Sequence, residues 1–119
     1  MIKRVYIAGN YSRNSEGKDA GILEILDNIR AGQKVSLEIL RMGYAVYCPF
    51  LDYQFGLIDD EPVTDIMYKE NGLAWLEVSD ALVVISGKGL GYGVDFEIDY
   101  AKKLSIQTFY GIKSFNKWR

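Results

Sequence analysis

A glycine-rich turn that leads to a glutamate is the feature of this sequence best suited to chemistry. The apolar run 81–85 is followed by a turn that contains Gly91 and Gly93, and Glu97 comes shortly after them. Small molecules bind α/β sheets beyond the carboxyl ends of the strands, where glycines let backbone N–H groups approach sugar or phosphate oxygens. We therefore expect a ligand site at this turn, with Glu97 facing the ligand.

The composition narrows the chemistry that such a site can perform. The 119 residues include no histidine and one cysteine, Cys48. Ser-His-Asp and Cys-His catalysis are thereby excluded, as are zinc sites built on imidazole or on thiolate clusters. Carboxylate, tyrosine, serine, lysine and backbone groups are left, and we predict neither a metal nor a redox cofactor.

Charge and hydropathy indicate the class of protein. The 14 basic and 16 acidic residues nearly balance and form no dense basic stripe, so a nucleic-acid polymer is not an expected partner. No apolar run approaches the roughly 20 residues of a membrane span. We predict a cytoplasmic protein that does not associate with membranes and that forms a single domain over residues 1–119.

Strand-like and helical segments alternate along the chain. Strands are predicted at 4–9, 45–48, 81–85 and 106–110. Helices are predicted from Asp27 or Asn28 to Arg41, from Thr64 to about Ser79, and from Val94 to Leu104. In the second helix we expect Ile66, Leu73, Leu76 and Val78 to face the sheet. This order predicts an α/β fold, a flavodoxin/Rossmann-like three-layer sandwich with a parallel sheet of four to five strands and helices on both faces.

The connection 50–63 is long and rich in Asp, Gly and aromatic residues, and connections of this length are often functional. Its residues Tyr53 and Phe55 either line the ligand site or pack beneath the loop. The glycine run 87–93, by contrast, matches neither the G-x-G-x-x-G nor the P-loop spacing, and it follows the third strand rather than the first. Dinucleotide and P-loop sites are therefore weakly supported.

Several short segments together resemble a known family. They are Tyr6-Ile7-Ala8-Gly9, Asn28-Ile29 through Ala31, Gly43, Pro49, Leu73-Ala74-Trp75-Leu76, Ser79-Asp80-Ala81, Gly93-Val94-Asp95-Phe96-Glu97 and Ala101. In this order they resemble the nucleoside 2-deoxyribosyltransferase superfamily, which includes the deoxynucleoside 5′-monophosphate N-glycosidases. The resemblance implies cleavage of the N-glycosidic bond of a (deoxy)nucleoside or its 5′-monophosphate, by hydrolysis or by base exchange.

The same resemblance implies roles for two residues. Glu97 matches the glutamate that attacks the anomeric carbon and forms a covalent glycosyl-enzyme, and Tyr6 matches a tyrosine whose hydroxyl contacts that nucleophile. We expect Glu97 to lie in the first turn of its helix and to be kept ionised there by the helix dipole. Glutamate also favours a first helical turn for stability alone, and Tyr6 has an alternative interpretation as a core residue.

The remaining substrate-binding residues are predicted around the same turn and at the ends of the neighbouring strands: Gly9, Asn10, Asp52, Asn71, Ser86, Gly91, Gly93 and Asp95. The sequence departs from the family at two of these places. Asn71-Gly72 stands where an aspartate is typical, and Gly91 stands where an aspartate or serine is typical. Asp52, Glu70, Ser86 and Asp95 are nearby substitutes, and Lys88 or Arg13 is a candidate for contact with a 5′-phosphate.

Two other functions fit the same sequence. A non-catalytic module that binds a nucleotide is favoured by the missing aspartate, and an interaction domain without a small ligand is the third possibility. The turn 91–97 is also similar to that of the phosphoribohydrolases that activate cytokinins, which again implies N-glycosidic chemistry.

We expect Asp80, at the opposite end of the sheet, to be structural, and we expect the chain to form a homo-oligomer of two or more copies.

Overall fold

Strands and helices alternate in the computed structural model, which describes residues 2–9, 21–50, 55–58, 64–85 and 92–118. The elements are β1 (Arg4–Ala8), α1 (Ile22–Arg41), β2 (Ala45–Tyr47), α2 (Phe55–Ile58), α3 (Asp65–Glu77), β3 (Ala81–Val84), α4 (Tyr92–Lys103), β4 (Gln107–Tyr110) and α5 (Ile112–Phe115). Each predicted strand is confirmed to within a residue or two. The described part of the chain contains no helix that combines the length and the apolar composition needed to cross a membrane.

The strands form one parallel sheet in the order β2-β1-β3-β4. The two central strands, RVYIA and ALVV, are nearly continuous apolar runs, as expected for strands covered on both faces. The α/β class and the parallel four-stranded sheet are thus confirmed. The strand order is that of flavodoxin-like sheets, in which the connections reverse direction between β1 and β3, and ligands bind at the carboxyl ends of such a pair.

Alternating side chains of the strands enter two separate cores. We call the first the phenylalanine face; it consists of Val5, Ile7, Ala81, Val83 and Ile85 with Ile39 of α1, Phe50 and Phe115 of α5. We call the second the tyrosine face; it consists of Tyr6, Ala8, Leu82 and Val84 with Leu76 of α3 and Val94, Ile98 and Ala101 of α4. Helical residues therefore pack against the sheet in both cores.

The predicted helix boundaries need three corrections. Helix α1 begins at Ile22 rather than at Asp27 or Asn28, because Gly21 takes an extended conformation that starts the helix without a side-chain cap. Helix α4 begins at Tyr92, before the predicted Val94. Two short helices, α2 within the connection 50–63 and α5 after β4, were not predicted from the sequence.

Two other helix ends lie where the sequence predicts them, at a capping residue and at a glycine. At the amino end of α3, the Thr64 hydroxyl accepts a hydrogen bond from the backbone N–H of Met67 at 3.2 Å. After α1, Gly43 has a φ of +98°, a left-handed conformation that glycine adopts at helix ends.

The prediction that Ile66 and Val78 face the sheet is wrong, since both are exposed, and Leu76 carries the packing of α3 instead.

Asp80 is structural, as predicted. It precedes β3, and its carboxylate accepts a hydrogen bond from the backbone N–H of Arg4 at 2.7 Å. The backbone N–H of Asp80 in turn donates to the Arg4 carbonyl at 2.7 Å. These bonds join the amino ends of the two central strands, at the opposite end of the sheet from the carboxyl ends where ligands bind α/β folds.

Candidate functional site

Tyr6 places a hydroxyl inside the tyrosine face. It lies in the centre of β1 beside Tyr47 of β2 and Leu82 of β3, and only 1% of its surface is exposed. A tyrosine buried to this degree needs a partner for its hydroxyl. The partner is the carboxyl group of Glu97, to which Tyr6 donates a hydrogen bond.

Glu97 reaches Tyr6 because it lies on the buried side of α4. Val94, Ile98 and Ala101 are the core residues of this helix, and Glu97 is three residues after the first and four before the last, which is the spacing of one helical face. Glu97 is the sixth residue of α4. It therefore does not lie in the first turn, and that prediction is wrong.

The surroundings of Glu97 favour its neutral form. Its Oε2 atom is buried and has no hydrogen-bond partner among the described residues. Burial raises the pKa of Glu97 from 4.5 to about 8, although the hydrogen bond from Tyr6 lowers it. At neutral pH the free protein thus holds Glu97 mostly protonated. This direction is opposite to the expectation that the helix dipole keeps Glu97 ionised, because burial raises the pKa of Glu97 and this residue lies beyond the first turn, where the dipole acts.

Gly72 makes room for the Tyr6 hydroxyl. A Cβ atom at residue 72 would lie 2.8 Å from the Tyr6 oxygen, closer than side chains pack. Gly72 is buried within α3, where glycine is roughly 1 kcal/mol less favourable than alanine. The contact gives a physical reason for this glycine: a side chain there would displace the hydroxyl that bonds Glu97.

Aromatic rings continue from Tyr6 toward the edge of the sheet. The ring of Tyr47 lies 5.3 Å from that of Tyr6 and 5.5 Å from that of Trp75, with which it stacks. The Asn71 side-chain amide donates a hydrogen bond to the Tyr47 hydroxyl at 2.9 Å. Tyr6, Tyr47, Asn71, Gly72 and Glu97 thus form one continuous set of contacts on the tyrosine face.

The positions of the other predicted site residues do not indicate a role at the site. A Cβ atom at Gly9 would lie 2.7 Å from Cζ of Phe50, so packing on the phenylalanine face explains this glycine. Asp95 is exposed in the first turn of α4, and Gly93 belongs to the same turn. Phe55 is half-exposed, which does not decide between the two interpretations of it. Several predicted residues lie outside the described residues: Asn10, Arg13, Asp52, Tyr53, Ser86, Lys88 and Gly91.

Neither a metal-binding cluster nor a groove is found around Tyr6 and Glu97 among the described residues. No group of three or more acidic, histidine or cysteine side chains in that part of the chain is placed to hold a metal ion. An apolar groove of about 190 Å³ opens between α3 and the strands β1 and β2, beside Tyr47 and Trp75, but Tyr6 and Glu97 do not line it. The site is therefore defined by the polar contacts around Glu97 rather than by the groove.

Tyr47 and the role of Gly72 were not predicted from the sequence. The signal for Gly72 is a glycine in the middle of a helical pattern, a position that normally has a packing reason. The signal for Tyr47 is that β1 and β2 each contain one tyrosine, and parallel pairing places the two side by side. Neither signal indicates by itself which group the residue contacts.

Comparison with known proteins identifies a family but no activity. Residues 3–111 match the DUF7768 family, which is described as a domain of unknown function. No curated protein matches the chain. Since the match extends over most of the sequence, including Tyr6, Gly72 and Glu97, the chain belongs to the DUF7768 family.

Proposed function

We propose that this protein cleaves the N-glycosidic bond of a (deoxy)nucleoside or its 5′-monophosphate, with Glu97 as the nucleophile and Tyr6 as the residue that positions it. The observation that carries the proposal is the buried carboxyl group of Glu97, hydrogen-bonded by Tyr6. A buried titratable group with a displaced pKa near the ligand-binding end of an α/β sheet is a common mark of a functional site.

The resemblance of the sequence to the nucleoside 2-deoxyribosyltransferase superfamily supplies the reaction. A carboxylate oxygen of Glu97 bonds to the anomeric carbon while the bond from that carbon to the base nitrogen breaks, and its electron pair leaves with the base. The base is protonated from solvent. Water, or a second base, then attacks the same carbon and releases one proton to solvent, and the departing Glu97 recovers its carboxylate.

The raised pKa of Glu97 sets a condition on this reaction. With a pKa of about 8, roughly one-tenth of the free protein carries the ionised nucleophile at pH 7. A positive charge that develops on the sugar ring lowers the pKa of an adjacent carboxyl group, so the transition state favours the ionised form. The value of kcat/KM should therefore rise with pH and level off above an apparent pKa near 8.

The second candidate is a non-catalytic module that binds a nucleotide. It is favoured by the protonation of Glu97 at neutral pH, because a neutral carboxyl group both donates and accepts hydrogen bonds with a base edge. It is also favoured by the lack of a carboxylate at Asn71-Gly72, where the nucleoside 2-deoxyribosyltransferase superfamily that the sequence resembles typically has an aspartate. In such a module binding weakens above pH 8, when Glu97 loses its proton.

The deciding experiment is a chromatographic screen for base release or exchange. Deoxynucleosides, ribonucleosides and their 5′-monophosphates are incubated with the protein between pH 6 and 9, with and without a free acceptor base. Glu97→Gln should lower turnover on the order of 10³-fold or more, since it retains shape but removes the nucleophile. Free base without acceptor identifies a hydrolase, and exchange that needs an acceptor identifies a transferase.

The matched control is Glu77→Gln. Glu77 is a glutamate of α3 that accepts a hydrogen bond from Tyr100 on the surface, so this variant should turn over at the wild-type rate. Turnover that survives Glu97→Gln would contradict the proposed nucleophile. Saturable nucleotide binding without turnover, weakened above pH 8, would establish the binding module instead.

A further inference from the structure

Helix α1 has an apolar surface that is exposed in the described part of the chain. Asn28, Gly32 and Ile39 are its buried residues. The opposite side of the helix faces outward and carries four exposed leucines, which are Leu23 (77% exposed), Leu26, Leu37 and Leu40. Large exposed apolar surfaces in a folded domain mark interaction sites.

These leucines follow a heptad repeat. The outward positions 23, 26, 30, 33, 37 and 40 are spaced alternately by three and four residues, as are the a and d positions of a coiled coil, and Arg30 and Gln33 occupy the two central positions. The leucines thus form two pairs, one at each end of the helix. The outward surface therefore has the pattern of a helix that packs lengthwise against another helix.

The pattern is complementary to itself only when two copies run antiparallel. In that arrangement Leu23 meets Leu40 of the second copy, Leu26 meets its Leu37, and Arg30 meets its Gln33. A parallel pair would instead place Arg30 directly against Arg30 of the second copy, and like charges in contact are unfavourable. The order of side chains along α1 thus selects one orientation.

The charges beside the leucines agree with the same orientation. Asp27, Lys34 and Arg41 follow the d positions, and all three are exposed. In an antiparallel pair these flanking positions face one another across the interface. Asp27 then lies opposite Lys34 of the second copy, and the two-fold axis repeats this pair of opposite charges at the other end.

We propose that this chain forms a two-fold symmetric homodimer through the outward surface of α1, with the two α1 helices antiparallel and Leu26 packed against Leu37 of the second copy. The occupant of the surface is a second copy of the chain, because the apolar layers and the flanking charges both complement themselves. The interface lies behind the phenylalanine face and is separate from Glu97, so dimerisation and turnover are tested independently.

Sedimentation velocity over a range of protein concentrations tests the dimer. The wild-type protein should show a monomer–dimer equilibrium, and Leu26→Glu should remain monomeric at all concentrations. Because Leu26 is half-exposed, this variant should keep the wild-type circular dichroism spectrum. The matched control is Ile66→Glu, which places the same charge on an exposed apolar residue of α3 and should dimerise normally.

A charge exchange tests the antiparallel orientation. Asp27→Lys and Lys34→Asp should each weaken association about tenfold, since each turns two attractions into repulsions, and the double variant should recover wild-type association. A monomeric wild-type protein, or an unaffected Leu26→Glu variant, would overturn the dimer. Loss of association in Leu26→Glu without recovery in the double variant would overturn the antiparallel orientation.

Discussion

The two faces of the sheet each fit an aromatic side chain against a glycine of a helix, but the atoms in contact differ. On the phenylalanine face, a Cβ atom at Gly32 would lie 2.7 to 2.9 Å from ring carbons of Phe50. On the tyrosine face, a Cβ atom at Gly72 would lie 2.8 Å from the hydroxyl oxygen of Tyr6. The first contact fills space with carbon alone, whereas the second positions a group that can donate a proton.

The two contacts therefore differ in how their contribution to the stability of the fold depends on pH. Packing of a phenyl ring is favourable at every pH, because no atom of the contact titrates. Burial of the Tyr6 and Glu97 pair is favourable only while the carboxyl group is neutral, because the buried Oε2 atom of Glu97 has no partner among the described residues to stabilise its charge. Variants on the two faces should therefore differ in how their effects depend on pH.

The largest effect is expected on the phenylalanine face. Phe50→Ala removes a fully buried ring that packs against both Gly9 and Gly32, and it should lower the free energy of unfolding by about 3–5 kcal/mol. Denaturant titration at several pH values between 5.5 and 9 measures this loss. The loss should be the same at each pH; a loss that grows or shrinks across the range would mean that Phe50 is coupled to Glu97.

The next effect is the pH dependence of stability on the tyrosine face. The pKa of Glu97 is about 8 in the folded protein and near 4.5 when exposed, so the folded state binds the extra proton between these values. The resulting stabilisation is complete below pH 4.5 and is lost as pH rises through 8. We expect the free energy of unfolding to fall by roughly 2–4 kcal/mol between pH 5.5 and 9, allowing for partial exposure of the residue.

Glu97→Gln is the control for this pH dependence, because an amide of the same shape does not titrate. Its free energy of unfolding should vary much less over the same range. The pKa of Tyr100 is raised above its usual value of 10, mainly by its hydrogen bond to Glu77, so Tyr100 titrates above this range and does not contribute. A wild-type protein whose stability is constant from pH 5.5 to 9 would contradict the neutral, buried carboxyl group.

The contrast between the faces also explains what the sequence could and could not predict. The order of strands and helices follows from local patterns such as ALVV and from the Thr64 cap, and these patterns act within a few residues. Glu97 was predicted as a site residue because it follows a glycine-rich turn and matches a residue of the family that the sequence resembles. Its protonation was mispredicted because desolvation depends on residues of β1 and α3 that are distant in sequence.

Two further features could not be predicted from the sequence, for the same physical reason. Helical spacing identifies the apolar positions of α1 but not which of its two apolar sides meets the sheet, and in fact Leu26, Leu37 and Leu40 point outward. Likewise, the sequence shows a glycine at position 72, but it does not predict that the backbone of Gly72 lies close to the Tyr6 hydroxyl. Both depend on how the elements pack, which is set by the whole core rather than by neighbours in the chain.

Gly72→Ala should have a smaller effect, and one that depends on Tyr6. The methyl group displaces the Tyr6 hydroxyl, which should lower the free energy of unfolding by about 1–2 kcal/mol even after the gain in helix propensity. It should also raise the pKa of Glu97, measured by carbon-13 NMR of the carboxyl group, because the hydrogen bond that lowers that pKa is lost.

A double-mutant cycle shows whether the hydroxyl is responsible. In a Tyr6→Phe background, Gly72→Ala should cost less and should leave the pKa of Glu97 unchanged, since no hydroxyl is present to displace. Gly32→Ala is the matched control: it places the same methyl group against Phe50 and should destabilise the protein without moving that pKa. Equal costs for Gly72→Ala in both backgrounds would contradict the positioning role of Gly72.

The smallest effect tests how far the site extends along the tyrosine face. Tyr47→Phe removes the hydroxyl that accepts a hydrogen bond from Asn71 but keeps the ring between Tyr6 and Trp75. Because this hydrogen bond is exposed, its loss should cost only about 0.5–1 kcal/mol. The pKa of Glu97 should stay near 8, since the Tyr47 hydroxyl does not contribute to it. A shift in that pKa would show that Asn71 and Tyr47 act on the carboxyl group through Tyr6, and the site would then reach the edge strand β2.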